Sequence, residues 1–519
     1  MKIYRILVVM CGIWIFNSCT EEDLTIQPDG RELVETFYQT DEQMILALNG
    51  AYDPFQHIIW GGSTFLWGSI ASDDAVAGGG DLTDQKGYQV ADRYLVDPVE
   101  DKELNLKDFY TLWFRMNTRS NAIILYADQT SKLGSLAVAN AYFLKGMAYY
   151  QLVRMFGGMP IIDEIPGISS KYSRATTEET WAATELYLIA AIDMTKDGRG
   201  LGVRTGQADP SDGYATLGAA QALLGKVYLY QGKYAEAIDV LTDIYSSGQY
   251  ALETDYAQVF HPGNKHGVEA IFEINMTDKG AQSWNGPDNN GNAIATLVSP
   301  RAFGNSIKAF PDGIHLSGWG LNAPTKKLAD AFDAMGDVVR KDVSLISQES
   351  LQYQCDTAGV ETSWQNPLTG YYDNKHSLRV GYRVSETQVN QNINVLRYAD
   401  VILMLAEAHN KTGNDAQART YLNEVRSRVG LADVTSAGTE LLTAIKKERQ
   451  LELCLEGDRY FDLVRWGDAA KELTGEEYDA GGLNYTTGRP GVSTNGLFPI
   501  PQDEINAYGD FNYGQNAGY

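Results

Sequence analysis

The sequence predicts a mainly α-helical protein in which tetratricopeptide-repeat-like helix pairs form a scaffold and long irregular, loop-rich excursions interrupt it. Two observations carry this. First, apolar residues recur at helical spacing over Leu104–Ala127, Ala137–Phe156, Glu178–Thr195, Ala215–Gln231, Tyr234–Ser246, Tyr398–Thr412, Ala416–Val429 and Leu441–Glu456, the pattern of helices that bury one face. Second, two of these pairs look alike: Leu224-Gly225, Tyr228, Gly232 and Ala237 stand 181 positions before Leu405-Ala406, His409, Gly413 and Ala418. In each, a small residue lets two helices approach, a glycine closes the turn and an alanine opens the partner helix. Ala141–Phe156 offers a third, weaker copy through Gly146 and Tyr150.

Between the helix pairs, residues 56–102 and 275–395 show little helical period and hold many Gly, Asn, Asp, Trp and Tyr. Loops of that length inside a compact domain are usually functional, so the ligand face is expected there. With 44% hydrophobic and 11% aromatic residues in 519, the chain can bury a sizeable core. Its formal charge of −25 repels nucleic-acid phosphates and anionic lipid headgroups, which excludes nucleic acid and charge-driven membrane binding.

The N-terminus has a different character. Lys2 and Arg5 precede an apolar run from Ile6 to Phe16, then Ser18, Cys19 and the acidic stretch Thr20-Glu21-Glu22-Asp23. A basic start, a short apolar run and a small residue before the cut make a secretory signal, and a cysteine just after the cut suits bacterial lipidation. Expected boundaries are a signal peptide at 1–18, a lipid-anchored tether at 19–40 and a single domain at 41–519, with the lipid on Cys19 as the only membrane contact. Cys11 leaves with the signal, so Cys355 and Cys454 remain. A bond between them stays open, although Cys454 sits in a helical apolar run and reads as a small buried hydrophobe.

Tryptophan is costly to leave in a loop unless it packs or binds. Trp113, Trp181 and Trp466 fall in helical stretches, whereas Trp60, Trp67, Trp284, Trp319 and Trp364 fall in irregular ones. Flat aromatic faces stack on sugar rings while neighbouring amides and carboxylates bond the hydroxyls. Trp284-Asn285 with Asp288, Asn289 and Asn290 has that mixture, as does Trp319 beside His315 and Asn322; Tyr88, Tyr371 and Tyr372 are further candidates. Each ring could equally plug a loop onto the helical body. The segment from Asp73 to Asp84 puts acids on a Gly-rich turn, which suits calcium but lacks EF-hand spacing; a solvated turn is the plainer reading, and no other cofactor is expected. No Gly-x-Ser-x-Gly elbow and no His-Glu-x-x-His zinc motif occur, and His261 and His266 are poorly spaced for a metal. The chain therefore reads as a non-enzyme.

One segment is more specific. Leu396 to Ala408, the run Glu448-Arg449-Gln450-Leu451-Glu452-Leu453-Cys454-Leu455-Glu456-Gly457-Asp458-Arg459-Tyr460-Phe461-Asp462-Leu463-Val464-Arg465-Trp466-Gly467, and the ending Leu497-Phe498-Pro499-Ile500-Pro501 with Gln515 to Tyr519 resemble the SusD/RagB family. Leu112-Trp113, Asn121 and Tyr149 to Pro160 resemble that family's first helix pair. The resemblance implies an outer-membrane lipoprotein on the extracellular face that captures an oligosaccharide for a SusC-like, TonB-dependent transporter. The RagB branch implies peptides as the alternative ligand; a helical glycoside hydrolase and a purely structural lipoprotein are the more distant alternatives. No fixed motif holds the family's ligand residues, so none transfers by position.

Read physically, the 448–467 run is structural. Gly457 fits a helix C-cap and Asp458 an N-cap. Arg449 with Glu452, and Arg459 with Asp462, stand three apart and are expected to pair along a helix face. Glu448 and Glu452 as a catalytic carboxylate pair is the competing reading.

Overall fold

In a computed structural model, residues 37–519 are described except 57–63, 82, 95–105, 168, 207–212, 280–289, 305–312, 314–317, 365–368, 474–476, 481–482, 487–495 and 509–512. The signal peptide, Cys19 and most of the tether lie outside the described residues.

The helices are α1 (Asp41–Tyr52), α2 (Thr64–Ile70), α3 (Lys86–Arg93), α4 (Leu106–Tyr126), α5 (Lys132–Phe156), α6 (Thr177–Lys196), α7 (Leu217–Tyr230) and α8 (Tyr234–Ser246) in the first half. In the second half they are α9 (Ala293–Val298), α10 (Lys326–Met335), α11 (Val338–Ser344), α12 (Gln348–Ala358), α13 (Tyr398–Lys411), α14 (Asp415–Arg428), α15 (Gly438–Leu453), α16 (Arg459–Trp466), α17 (Ala469–Glu472) and α18 (Gln502–Tyr508). All eight helices expected from periodicity are present, with ends shifted by a few residues. They pack in series: α4 on α5, α5 on α6, α6 on α7, α7 on α8, α8 on α13, and α13 on α14 and α15. The close approaches fall where the repeat pattern put them. A Cβ on Gly225 would sit 2.3 Å from Leu241 Cδ2, and one on Gly146 would sit 2.5 Å from Leu188 Cδ2. The turn glycines Gly232 and Gly413 have φ of +71° and +81°, in the left-handed region that glycine tolerates. One apolar core runs through this stack and takes residues from Met44 to Tyr513.

The irregular segments are less irregular than expected. Residues 56–102 hold α2 and α3, and residues 275–395 hold α9 to α12. These helices are short, so caps rather than long periodicity define them: Thr325 accepts from Leu328 N and Gly336 closes α10 at φ +70°, while Ser347 accepts from Ser350 N and Gly359 closes α12 at φ +65°. Short antiparallel strand pairs tie the segments together: Ala75–Gly78 with Leu321–Pro324, Ala270–Ile274 with Ile393–Arg397, Ala302–Gly304 with Thr362–Trp364, and Leu345–Ser347 with Tyr371–Asp373. No described helix is long and apolar enough to cross a membrane. Cys355 and Cys454 are both buried and unbonded, and burial pushes the Cys454 thiol up to about 12.

The 448–467 run is an ionic core. Arg397, delivered by the strand that leads into α13, pairs with Glu269 at 2.7 Å, Glu452 at 2.6 Å and Glu456 at 2.7 Å. Arg340 pairs with Glu448 at 2.6 Å and Glu452 at 2.9 Å, and Arg428 reaches Glu269 and Glu452. Burial opposes ionisation of Glu452, but Arg428, Arg397 and Arg340 together hold its carboxyl well below the usual range. Glu448 and Glu452 are thus enclosed by guanidinium groups and play the structural part.

The expected pairings along the helix are not the ones formed. Arg449 bonds Asp400 and Asp462, and Arg459 takes Asp73 from 386 residues away. Asp458 sits at the N-cap of α16 without capping it; its carboxylate instead meets Lys226 at 2.5 Å and Arg154 at 3.0 Å. Gly457 lies beyond the end of α15, so it is a point of close approach rather than a helix cap. Spacing alone favours i, i+3 partners, but desolvated charges take whichever partners the tertiary fold brings fully around them.

Asp74 behaves in the opposite sense to Glu452. Burial and the neighbouring Asp73 push its carboxyl up to about 6, although Arg459 and the Gln450 amide pull the other way. A carboxyl raised in the fold costs stability above its folded value and returns it as pH falls toward the unfolded value. Asp74→Asn should therefore gain on the order of 2 kcal/mol at pH 7.5, and the gain should fade between pH 6 and 4. Urea melts at three pH values test this; an unchanged or lower midpoint at pH 7.5 would refute it.

Candidate functional site

A cleft of about 780 Å³ opens where α1, α4 and the strand Ala270–Ile274 meet. Helix α1 begins at a capping box, with Thr40 Oγ1 accepting from Gln43 N and the Gln43 side chain accepting from Thr40 N. Met44, Leu48 and Ala51 then face the core, and Asn49, Tyr52 and Asp53 fall on the cleft. Tyr52 donates to Asn140 Oδ1 at 2.6 Å and accepts from Ala215 N at 2.8 Å, which fixes its ring against the next wall. Tyr214 donates to Asn49 Oδ1 at 2.7 Å, and its ring lies 5.5 Å from that of Tyr52 at 51°. Burial raises the Tyr52 hydroxyl far above ordinary phenol values, so it stays protonated.

The polar lining is amide-rich and close to charge-balanced. Arg119 Nη1 donates to Gly50 O at 2.6 Å and to Asp53 Oδ2 at 2.7 Å. On the opposite wall Asn392 Nδ2 donates to Glu273 Oε2 at 2.8 Å and Asn275 Oδ1 at 3.0 Å. Gly213 has φ +86°, which favours glycine, and a Cβ there would sit 2.0 Å from Asn275 Nδ2, so a side chain would be strained and would displace that amide. Described residues that border three segments outside the described set line the cleft. Gln56 precedes 57–63, Gly213 follows 207–212, and Thr277 and Asn290 flank 280–289, with Thr277 N donating to Asn290 O at 2.7 Å. In sequence these segments carry Trp60, Asp209, Asp212, Trp284 and Asn285.

The residues singled out from sequence are scattered. Trp284, Asn285 and His315 lie outside the described residues. Trp67 is fully buried in α2, with edge contacts to Phe109 and Phe498, and Tyr88 is 4% exposed in α3. Neither offers a free face, because helices rather than loops hold both rings. Trp319 is half-buried against the main core, and its N donates to Thr296 O. Trp364 lies 6.1 Å from the buried ring of Tyr372 and donates to Gln352 Oε1, and Tyr371 packs beside a smaller apolar cluster. None of the described rings among them lines the cleft. Tyr52, Tyr214 and Arg119 were not singled out; the available signal was that Asn49, Tyr52 and Asp53 share the non-core side of α1.

The acids of the Asp73–Asp84 segment are also engaged. Asp73 meets Arg459 and Lys327, Asp84 meets Arg301, and Asp81 accepts from Thr83. Among the described residues no group of three or more His, Cys, Asp or Glu is placed to hold a metal ion.

The chain is similar to known proteins over most of its length. Residues 192–519 match the SusD family, and residues 89–229 match a family described as starch-binding and associating with the outer membrane. SusD-like protein P38 of Formosa agariphila is 25% identical over 499 residues, covering 90% of this chain and 92% of its own. A laminarin-binding SusD-like protein of known structure is 29% identical with a TM-score of 0.76, covering 93% of this chain and 100% of its own. Surface glycan-binding protein A from Bacteroides thetaiotaomicron, solved with laminarihexaose, is 25% identical with a TM-score of 0.78, covering 92% and 100%.

Proposed function

Because this chain belongs to the SusD family, we propose that it captures an oligosaccharide in the Tyr52–Tyr214 cleft and hands it to a SusC-like, TonB-dependent transporter in the outer membrane. The observation that carries this reading is the cleft itself: a fixed tyrosine pair, amides and a charge-balanced Arg119–Asp53 pair suit neutral hydroxyl-rich rings. Trp284 and Asn285 would complete the site from the adjoining segment. Laminarin is the first glycan to try, because two similar proteins bind it or its hexamer. The protein would act by binding alone, since Glu448 and Glu452 are committed to guanidinium groups. Attachment would come from lipid on Cys19, and Cys19→Ala should release a folded, binding-competent protein into the soluble fraction; retention in the outer membrane would count against the anchor.

Affinity electrophoresis against a polysaccharide panel tests the ligand. Laminarin should retard the wild type, and Tyr214→Ala and Trp284→Ala should each weaken binding about tenfold, the scale of one lost aromatic contact. Retardation by no polysaccharide would sink the glycan reading in favour of a peptide ligand, and released sugar products would sink the binding-only reading.

A further inference from the structure

Behind the cleft lies a second, smaller chamber of about 70 Å³. Phe55 and Ile274 line both spaces, so the two adjoin. Met147 and Leu223 make the chamber apolar, and Trp113 and Arg154 bring polar groups to it. Trp113 is 1% exposed, and its Nε1–H is buried with no hydrogen-bond partner. Arg154, 9% exposed, is engaged: its Nε donates to Gln151 and its Nη1 to Tyr150 and Asp458. A buried donor without an acceptor is costly, so the Trp113 Nε1–H calls for an acceptor oxygen at the chamber.

Charge decides what kind of oxygen. Of the lining cations, Arg154 pairs with Asp458 at 3.0 Å, and Lys226 pairs with Asp458 at 2.5 Å and with Asp400 at 2.9 Å. Glu456, which also lines it, is matched by Arg397 and Lys375. The cations are already balanced, so an added carboxylate would be an uncompensated buried charge. A neutral carbonyl is not penalised in this way. The geometry points to a site for a neutral acetyl-type group, its methyl between Met147 and Leu223 and its oxygen toward Trp113 Nε1. Such a group could arrive as a substituent of a saccharide in the cleft or as a free small amide or ester.

Saturation-transfer NMR with N-methylacetamide on the whole protein tests this. Transfer to the acetyl methyl is expected, with affinity about fivefold weaker in Trp113→Phe, the ratio that one hydrogen bond carries. Transfer should vanish in Leu223→Phe, which fills the chamber, and acetate should bind at least roughly tenfold more weakly than the amide. Absence of transfer in the wild type, equal binding of acetate, or undiminished transfer in Leu223→Phe would each overturn the assignment. The two sources separate by comparing laminarihexaose with its mono-O-acetylated form: tighter binding of the acetylated chain assigns the group to the saccharide, and equal binding assigns it to a free small molecule. Only this last comparison rests on the proposed reading of the cleft, so a failure of either can be told from a failure of the other.

Discussion

Arg397→Met should cost about 3–5 kcal/mol, enough to unfold much of the population or abolish soluble expression. Arg397 is 2% exposed and binds three carboxylates at once, and its Nη2 also donates to Glu452 O at 2.6 Å. Methionine matches much of its volume, so the loss isolates the charge. Glu452 would keep Arg340 and Arg428, but Glu269 and Glu456 would each lose a buried counter-ion. The exposed pair Lys326–Asp330 is the control, since Lys326→Met should leave the unfolding midpoint close to that of the wild type. Urea unfolding measures both. A midpoint for Arg397→Met near that of Lys326→Met would show that the network is ornamental to stability.

The same network separates what was legible in the sequence from what was not. Long helices were legible because burial of one face imposes a period of 3.6, and α4 to α8 and α13 to α15 appear where that period placed them. The repeat was legible because close helix packing admits only small residues, and Gly146 and Gly225 both abut a leucine of the partner helix. Ion partners were not legible. Arg459 and Asp462 lie three apart, yet Arg459 binds Asp73 and Asp462 binds Arg449 and Arg465. Local spacing sets only which pairs can meet on one helix, whereas burial selects partners from the whole chain.

The site shows the same limit. A tryptophan outside a periodic stretch marks either a plug or a platform, and Trp67 is a plug because α2 is too short, at seven residues, to announce itself by periodicity. The cleft's own aromatic pair joins Tyr52 to Tyr214, 162 positions apart in sequence. What brings them together is a half-buried hydrogen bond from Ala215 N to Tyr52 and a glycine at 213. Neither leaves a motif.

Gly457→Ala should cost about 3 kcal/mol, far more than a glycine-to-alanine change at an ordinary turn. Two effects add. The backbone at Gly457 has φ +87°, where a side chain costs on the order of 1 kcal/mol. A Cβ there would also sit 2.5 Å from Phe65 Cα and 2.7 Å from Phe65 O, and backbone cannot rotate away as a side chain can. The contact is reciprocal, since a Cβ on Gly68 would sit 1.9 Å from Gly457 O. This is where α2 docks on the 448–467 run, just ahead of Asp73, whose carboxylate reaches Arg459. Opening it would therefore loosen two ties between the loop-rich segment and the helical body. Gly467 separates the two effects: it has φ +74° with nothing within 4 Å of an added Cβ, so Gly467→Ala pays the strain alone. Thermal unfolding should place Gly467→Ala within about 1 kcal/mol of the wild type and Gly457→Ala well below it. Equal losses would mean that conformational strain is the whole effect and that the close approach of α2 contributes nothing.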